Sequence, residues 1–289
     1  MSNKFSKRLK ILRIKYGYTQ KELSKIIGIK QTTISNYEKG LRFPDAYKLK
    51  QIANLFNVSV DYLLGQDDSI LIRESVKSNL INKEDYKFFL EYLLQGKKEE
   101  ARQLILDICD MGATIDDIYF NILEKTLIET GYFWEKGKVD VWKEHYVSEN
   151  ILDIMRDVRS FYEKEKNIEK SVIALAAGGE LHNIGIKMIS DLLELEGYKV
   201  TYLGSNVPVL SLINAIESEN AKVIAISVTM EYNIESSKNI IEAIRNKFRD
   251  KAPTIIIGGR AFLNIKDVCS VTGADYYCKN INDIRAVII

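Results

Sequence analysis

The run Thr19-Gln20-Lys21-Glu22-Leu23-Ser24-Lys25-Ile26-Ile27-Gly28, continued through Ile29-Lys30 into Gln31-Thr32-Thr33-Ile34-Ser35-Asn36-Tyr37-Glu38-Lys39-Gly40, decides how the amino-terminal part of this chain folds. Thr19 and Glu22 have the spacing of a capping box, an apolar face follows, and Gly28 ends the helix. A second short helix comes three residues later. Its apolar positions Ile34 and Tyr37 leave Gln31, Thr32, Thr33, Ser35 and Asn36 near the exposed amino-terminal side. Two short helices with an amide-rich second one suit a major-groove reader, because Gln and Asn pair with adenine through two hydrogen bonds and Thr packs on a thymine methyl. The same pattern also fits a helical hairpin that binds protein or nothing.

Outward from that run, helical periodicity begins at Phe5-Ser6-Lys7-Arg8-Leu9-Lys10-Ile11-Leu12. It returns in short pieces separated by glycines at 17, 28 and 40 and closes at Leu63-Leu64-Gly65. Gln66-Asp67-Asp68-Ser69 opens a polar stretch. The expectation is a five-helix domain over 1–66 and a linker over 67–79. Residues 1–66 hold 13 Lys or Arg against 4 Asp or Glu, a net of +9, which leaves −8 for residues 67–289. The amino-terminal end can therefore attract a polyanion and the remainder cannot.

From 80 to 166 the pattern is again helical, with amphipathic stretches at Asp85 to Leu94, Glu99 to Met111, Ile115 to Thr130 and Val141 to Phe161. Four helices make a small bundle. After Asn167 the period changes. Apolar runs at 172–176, 199–203, 223–228, 254–257 and 274–277 alternate with helical stretches at 185–195, 208–219, 235–249 and 264–270, which argues a parallel sheet covered on both faces. Ligands on such sheets sit at the carboxyl ends of the strands, so the loops after Ala177, Gly204, Val228 and Ile257 are the places to look.

Composition excludes several classes. Hydrophobic residues make up 46%, charged residues 28%, and there are 3 prolines, which is the make-up of packed domains rather than of a disordered chain. Cys109, Cys269 and Cys278 are far apart and lack CxxC spacing, so incidental thiols in a reducing compartment are expected. With no signal-like opening and no run approaching about 18 apolar residues, the expected place of work is the cytoplasm, with no membrane contact.

The chain contains 2 histidines. His145 follows Gly131-Tyr132-Phe133-Trp134-Glu135-Lys136-Gly137, where Trp134 falls at a helix end and its indole can cover a flat ligand. By the residues alone these are equally boundary aromatics and a surface histidine. His182 lies in Ala177-Gly178-Gly179-Glu180-Leu181-His182-Asn183-Ile184-Gly185, directly after the first strand. One histidine cannot hold a bare zinc ion, but it suffices as an axial ligand to a metal already held by a macrocycle, with its other ring nitrogen oriented by an acceptor. A hydrogen-bonded surface group is the plainer alternative.

The stretch TQKELSKIIGIKQTTISNYEKG, with Pro44 and the closing IANLFNVSVDYLLG, resembles the lambda-repressor-like (Xre) helix-turn-helix family. The resemblance implies that Gln31, Thr32, Ser35 and Asn36 face base edges, that Gln20 meets DNA from a helix amino terminus, and that Arg42 contacts phosphate. It also implies a homodimer or higher homo-oligomer on a palindromic double-stranded operator. Residues 80–289 resemble the cobalamin-binding module of corrinoid proteins, a four-helix cap followed by a flavodoxin-like, Rossmann-like α/β domain. The family's DxHxxG loop stands here as Glu180-Leu181-His182-Asn183-Ile184-Gly185, and Val200-Thr201-Tyr202-Leu203-Gly204-Ser205-Asn206-Val207-Pro208 matches its strand and VP turn.

By that resemblance His182 is the lower axial ligand to cobalt, oriented by Glu180 in place of the usual aspartate. Asn183 and Gly185 belong to the same loop. Ser227, Gly258 and Gly259 line the pocket of the nucleotide tail, where Glu231 and Asn233 replace small hydroxyl residues. Trp134, Glu144 and His145 reproduce the W-x9-EH motif of light-sensing cobalamin repressors, a lid that makes room for a 5′-deoxyadenosyl group. Glu135 stands where those photoreceptors carry a further histidine.

The expected protein is thus multidomain and not an enzyme. It is a DNA-binding regulator controlled by cobalamin, in the form of adenosylcobalamin, bound between cap and α/β domain, with light or cofactor abundance as the input. Two alternatives stay open: a regulator whose sheet domain binds haem, another ligand or only a second copy, and an enzyme or corrinoid carrier fused to a DNA-binding domain.

Overall fold

The computed structural model describes residues 2–16, 18–56, 58, 60–65, 85–164 and 168–288. Gly17, the linker expected over 67–79, and residues 80–84 and 165–167 lie outside the described residues. The chain divides into two compact units, Met1–Val158 and Arg159–Ile289.

The first unit opens with α1 (Ser2–Lys15), α2 (Gln20–Ile27), α3 (Gln31–Glu38), α4 (Ala46–Leu55) and α5 (Val60–Leu64). The capping box forms as the spacing requires: Glu22 N–H donates to Thr19 Oγ1 at 3.2 Å and Thr19 N–H to Glu22 Oε2 at 2.8 Å. Such a cap contributes about 1 kcal/mol. Gly28, at φ 69°, takes the left-handed conformation that turns the chain from α2 toward α3. Phe5, Leu9, Leu23, Ile34, Ile52 and Phe56 close over one another as the buried interior. Each stabilises the domain by roughly 1.5–3 kcal/mol relative to exposure.

The second set of helices is α6 (Asp85–Leu94), α7 (Lys98–Asp110), α8 (Ile115–Ile118), α9 (Glu124–Glu135) and α10 (Val141–Arg159). A single wide turn over Tyr119–Leu123 joins α8 to α9, with Glu124 N–H reaching back to the Tyr119 carbonyl, so the two form one run. Four runs result, as the periodicity predicts. The third continues past Thr130 to Glu135 and stops where Gly137 adopts φ 66°. Along α10, Val147, Ile151, Ile154, Met155 and Val158 make the buried stripe.

The second unit is a sheet of β1 (Ser171–Ala176), β2 (Lys199–Gly204), β3 (Val223–Ser227), β4 (Thr254–Gly258) and β5 (Tyr276–Tyr277), with α11 (Ile184–Leu195), α12 (Val209–Glu219), α13 (Ile234–Phe248), α14 (Val268–Thr272) and α15 (Ile281–Ile288). Strand order is β2-β1-β3-β4-β5 and every pairing is parallel, the flavodoxin-like arrangement. The order reverses between β1 and β3, which opens a crevice at their carboxyl ends. One face of the sheet packs Ile173, Leu175, Ile224, Ile226, Ile255 and Ile257 against α12 and α13. The other presents Ala174, Ala176 and Ala225 to Ile186 of α11. By register Ala176, Ser227 and Gly258 form one row across that second face.

Three local expectations are corrected. The fifth strand is only Tyr276–Tyr277, because the Asp275 carboxylate, not a backbone carbonyl, accepts the Ile255 N–H at 2.7 Å. The helix expected over 264–270 is a short turn, Arg260–Phe262, and then α14, whose start is set by Asp267 capping Ser270 N–H and whose end is set by Gly273. A last helix, α15, adds Ile281, Ile284 and Ile288 to the buried residues.

Candidate functional site

Glu180 is the centre of the carboxyl-end loops. β1 runs out at Ala176, Ala177 N–H still pairs with the Ser227 carbonyl, and the chain then turns through Gly178 and Gly179 so that Glu180 points inward. Its side chain is wholly buried. Oε1 accepts His182 N–H at 2.9 Å and His182 Nδ1–H at 2.7 Å. Oε2 accepts from Thr229 N–H at 2.9 Å, Met230 N–H at 2.8 Å and Asn233 Nδ2 at 3.1 Å. Burial alone would raise the pKa of this carboxyl, but the hydrogen bonds from His182, Met230 and Asn233 outweigh it and hold the carboxyl below its usual value.

An ionised carboxylate only accepts, so His182 Nδ1 donates to it and Nε2 is the ring nitrogen left for a ligand. The imidazole is 55% exposed, open enough to meet a ligand while its orientation is set from below. Around it, Asn183 Nδ2 donates to Ser205 Oγ at 3.0 Å and Gly179 N–H to Asn206 Oδ1 at 2.9 Å, which ties the first loop to the loop after β2. A methyl group built on Gly185 would meet nothing within 4 Å, so no contact inside the chain demands glycine there. Leu181, Leu210, Tyr232 and Leu263, each near the carboxyl end of a strand, are exposed.

This set fits an axial ligand to a macrocycle-held metal: a single oriented nitrogen, a glycine with open space, and apolar side chains facing out. No group of three His, Cys, Asp or Glu able to hold a bare ion exists among the described residues. Burial pushes the Cys278 thiol up to about 11, leaving it protonated rather than a metal-binding thiolate.

The expected tail-pocket residues divide. Ser227 is half-buried at the end of β3. Gly258 and Gly259 have reasons internal to the chain, since a Cβ would lie 2.6 Å from the Cys278 carbonyl oxygen at Gly258 and 2.1 Å from that of Val228 at Gly259, where φ is 113°. Asn233, read from the sequence as a tail-pocket departure, is buried and bound to Glu180, whereas Glu231 is exposed. The partnership of Asn233 with Glu180 escaped the sequence reading. Its one signal was an amide where the resemblance has a small hydroxyl.

In the first unit, Trp134 lies in the last turn of α9 and is 51% exposed. Glu144 and His145 lie in the first turns of α10, with His145 Nδ1 3.4 Å from Glu144 Oε2 and its side chain 73% exposed. Glu144 Oε1 accepts from Ser148 Oγ at 2.8 Å. Trp142 and Tyr132 are exposed as well, with Lys143 over the Trp142 ring and Lys136 and Lys138 near Tyr132.

The residues expected to face DNA lie on or beside α3, where Ile34 and Tyr37 are buried, Gln31 and Thr32 exposed, and Ser35 and Asn36 half-buried. Arg42 is exposed just beyond the helix. Gln20 is differently placed. Its Nε2 donates to Glu38 Oε2 at 2.7 Å, and Glu38 in turn pairs with Arg13 through Nε at 2.5 Å and Nη2 at 3.1 Å. Arg13 and Glu38 therefore clamp α1 and α2 to the end of α3, a role that their spacing in sequence does not announce.

Residues 9–63 match the family model described as Helix-turn-helix, and residues 87–156 and 170–279 match two models described as B12 binding domain. The chain is 46% identical over 77 residues to the HTH-type transcriptional regulator ImmR of Bacillus subtilis (strain 168), a stretch covering 27% of this chain and 58% of that protein. It is 30% identical over 109 residues to the dimethylamine corrinoid protein of Methanosarcina barkeri, covering 37% of this chain and 50% of that one. The chain thus spans 58% of the length of the first relative and 50% of the second. The structure of the Methanosarcina barkeri monomethylamine corrinoid protein superposes with a TM-score of 0.62 at 16% identity over 72% of this chain and 99% of that one, a likeness of fold. None of the described helices is long and apolar enough to cross a membrane.

Proposed function

We propose that this chain, a helix-turn-helix domain fused to a B12-binding domain, is a transcription regulator whose grip on DNA is set by cobalamin, and specifically by adenosylcobalamin. The observation that carries the reading is the His182–Glu180 pair: one exposed imidazole with its Nδ1–H given to a buried carboxylate and its Nε2 available as a lower axial ligand. Bound beside His182, cobalamin would supply a cobalt ion for the imidazole to ligate and, in its adenosyl form, a light-labile cobalt–carbon bond.

The chain's own residues then divide the work. His182 ligates and Glu180 fixes its ring. Asn183 braces the loop against Ser205, and Gly185 leaves room for the ring system. Ser227, Gly258 and Gly259 border the nucleotide tail. Trp134, Glu144 and His145 serve the upper axial group. On DNA, Gln31, Thr32, Ser35 and Asn36 read base edges and Arg42 holds phosphate, while Gln20, bound to Glu38, steadies α3. A homodimer or larger homo-oligomer on a palindromic operator lets two domains of net +9 act together. The role is regulatory and not catalytic, and the setting is the cytoplasm.

The test is an absorption spectrum of the full chain reconstituted with adenosylcobalamin, in the dark and after illumination, alongside oligomer size and operator affinity. Absence of corrin absorbance would overturn cobalamin control. A spectral change that leaves both size and affinity unaltered would remove light as the input. For the DNA domain, Gln31→Ala should relax preference at one operator position, whereas Arg42→Ala should weaken all sequences equally; identical behaviour of the two would contradict the roles given them.

A further inference from the structure

The turns that follow β1, β2, β3 and β4 frame the crevice at the carboxyl ends of the strands, and charge is unevenly spread among them. Residues 177–183, 205–208 and 228–233 hold no lysine or arginine, and their acids are the buried Glu180 and the exposed Glu231. Residues 259–263, after β4, hold Arg260 and no acid. Arg260 is exposed, and no carboxylate pairs with it among the described residues. Its backbone is fixed on both sides. Gly259 stands at φ 113° with the Val228 carbonyl oxygen where a Cβ would lie, and Ala261 N–H donates to that same carbonyl at 3.2 Å. Ala261 and Phe262 are buried, with the Phe262 ring 5.9 Å from that of Tyr277. A long cationic side chain is thus mounted on a rigid turn, directly after the two glycines proposed to border the nucleotide tail.

We infer that Arg260 reads the phosphodiester of that tail and so makes the site prefer a complete cobalamin to a corrin without a nucleotide. The phosphodiester is the anionic group of the tail, and it stays charged at any pH at which the protein is folded. Residues 67–289 carry a net charge of −8, so an anion brought to this unit needs a local cation. Arginine suits the task because its planar fork donates two parallel hydrogen bonds to phosphate oxygens. The inference rests on the proposal that the site takes cobalamin with its tail along Ser227, Gly258 and Gly259.

The test titrates the full chain in the dark with three probes and follows corrin absorbance. The probes are adenosylcobalamin, adenosylcobinamide phosphate, which keeps a phosphate without the nucleoside, and adenosylcobinamide, which has neither. Wild type should hold the first two more tightly than the third. Arg260→Gln should weaken the first two about tenfold, the loss of a charge-assisted hydrogen bond, and leave adenosylcobinamide within about twofold of wild type. Arg260→Lys, which keeps the charge without the fork, should recover part of the loss. Added salt should weaken adenosylcobalamin in wild type more than in Arg260→Gln. An equal loss for all three probes, or no loss for any, would overturn the inference. So would a loss confined to adenosylcobalamin, which would mean that Arg260 meets the nucleoside and not the phosphate. If wild type takes up none of the three, cobalamin control itself fails; if it takes up all three and Arg260→Gln follows one of the overturning patterns, only the role of Arg260 fails.

Discussion

The two histidines sit beside glutamates in both units, yet only one of them is held. His182 gives Nδ1–H to a carboxylate with no solvent exposure and five hydrogen bonds, whereas His145 stands 73% exposed with a 3.4 Å contact to a carboxylate already shared with Ser148. An imidazole is oriented by an acid that is itself held in place. Proximity of acid and base in sequence is common to both; what separates them is whether the acid is anchored by several converging donors. The Thr229 and Met230 N–H groups converge on Oε2 just past β3, so the fold supplies donors that favour the ionised form of Glu180. Glu144 is half-buried and accepts from Ser148, a single hydroxyl one turn along its own helix.

Substitution should separate the two most sharply at the ligand. His182→Ala is expected to weaken corrin binding by roughly 100-fold or more, above the range seen when only a supporting group is lost. His145→Ala, which removes a group proposed to serve the upper axial group and not the cobalt ligand, should weaken it less, by about tenfold at most. Equal losses, read by titrating the corrin absorbance, would break the contrast. Next in size, Glu180→Ala leaves several buried donors without an acceptor and should cost about 3 kcal/mol of unfolding free energy in the unliganded protein. Glu144→Ala should stay within about 0.5 kcal/mol in the same denaturant titration.

The pH dependence sharpens the contrast further. The folded-state pKa of Glu180 lies below the unfolded one, so its stabilisation is full above the ordinary carboxylate pKa of about 4.3 and is lost as pH falls through the depressed folded value. The stability difference between wild type and Glu180→Gln should therefore be constant above that pH and shrink below it. A difference that grows on acidification would mean that Glu180 is protonated in the native protein. The smallest expected effect is at Trp142, exposed and stacked only by Lys143. Trp142→Phe should alter stability by less than about 0.5 kcal/mol, whereas Trp134→Ala is expected to change corrin affinity without changing stability.

Much of the fold was legible because burial writes itself as periodicity. Five helices with a capping box and terminating glycines, four amphipathic runs, and strands apolar on both faces all reflect local rules that operate within about ten residues. The misjudged places are those where a side chain substitutes for backbone. Asp275 takes a ladder bond and shortens β5, and Asp267 resets the start of α14. The helix α15 could have been read from the spacing of Ile281, Ile284 and Ile288.

Local pattern was enough to place a basic helix-turn-helix domain before a helical set and a parallel sheet, and one histidine after the first strand. Those properties depend on neighbours in the chain, through capping, hydrophobic period and charge. The reach of Glu180 to Asn233 and of Gln20 to Glu38 emerges only in the folded chain. Both are contacts between distant segments, brought together by strand order in one case and helix packing in the other, and no local pattern encodes which buried donor a buried carboxylate will find.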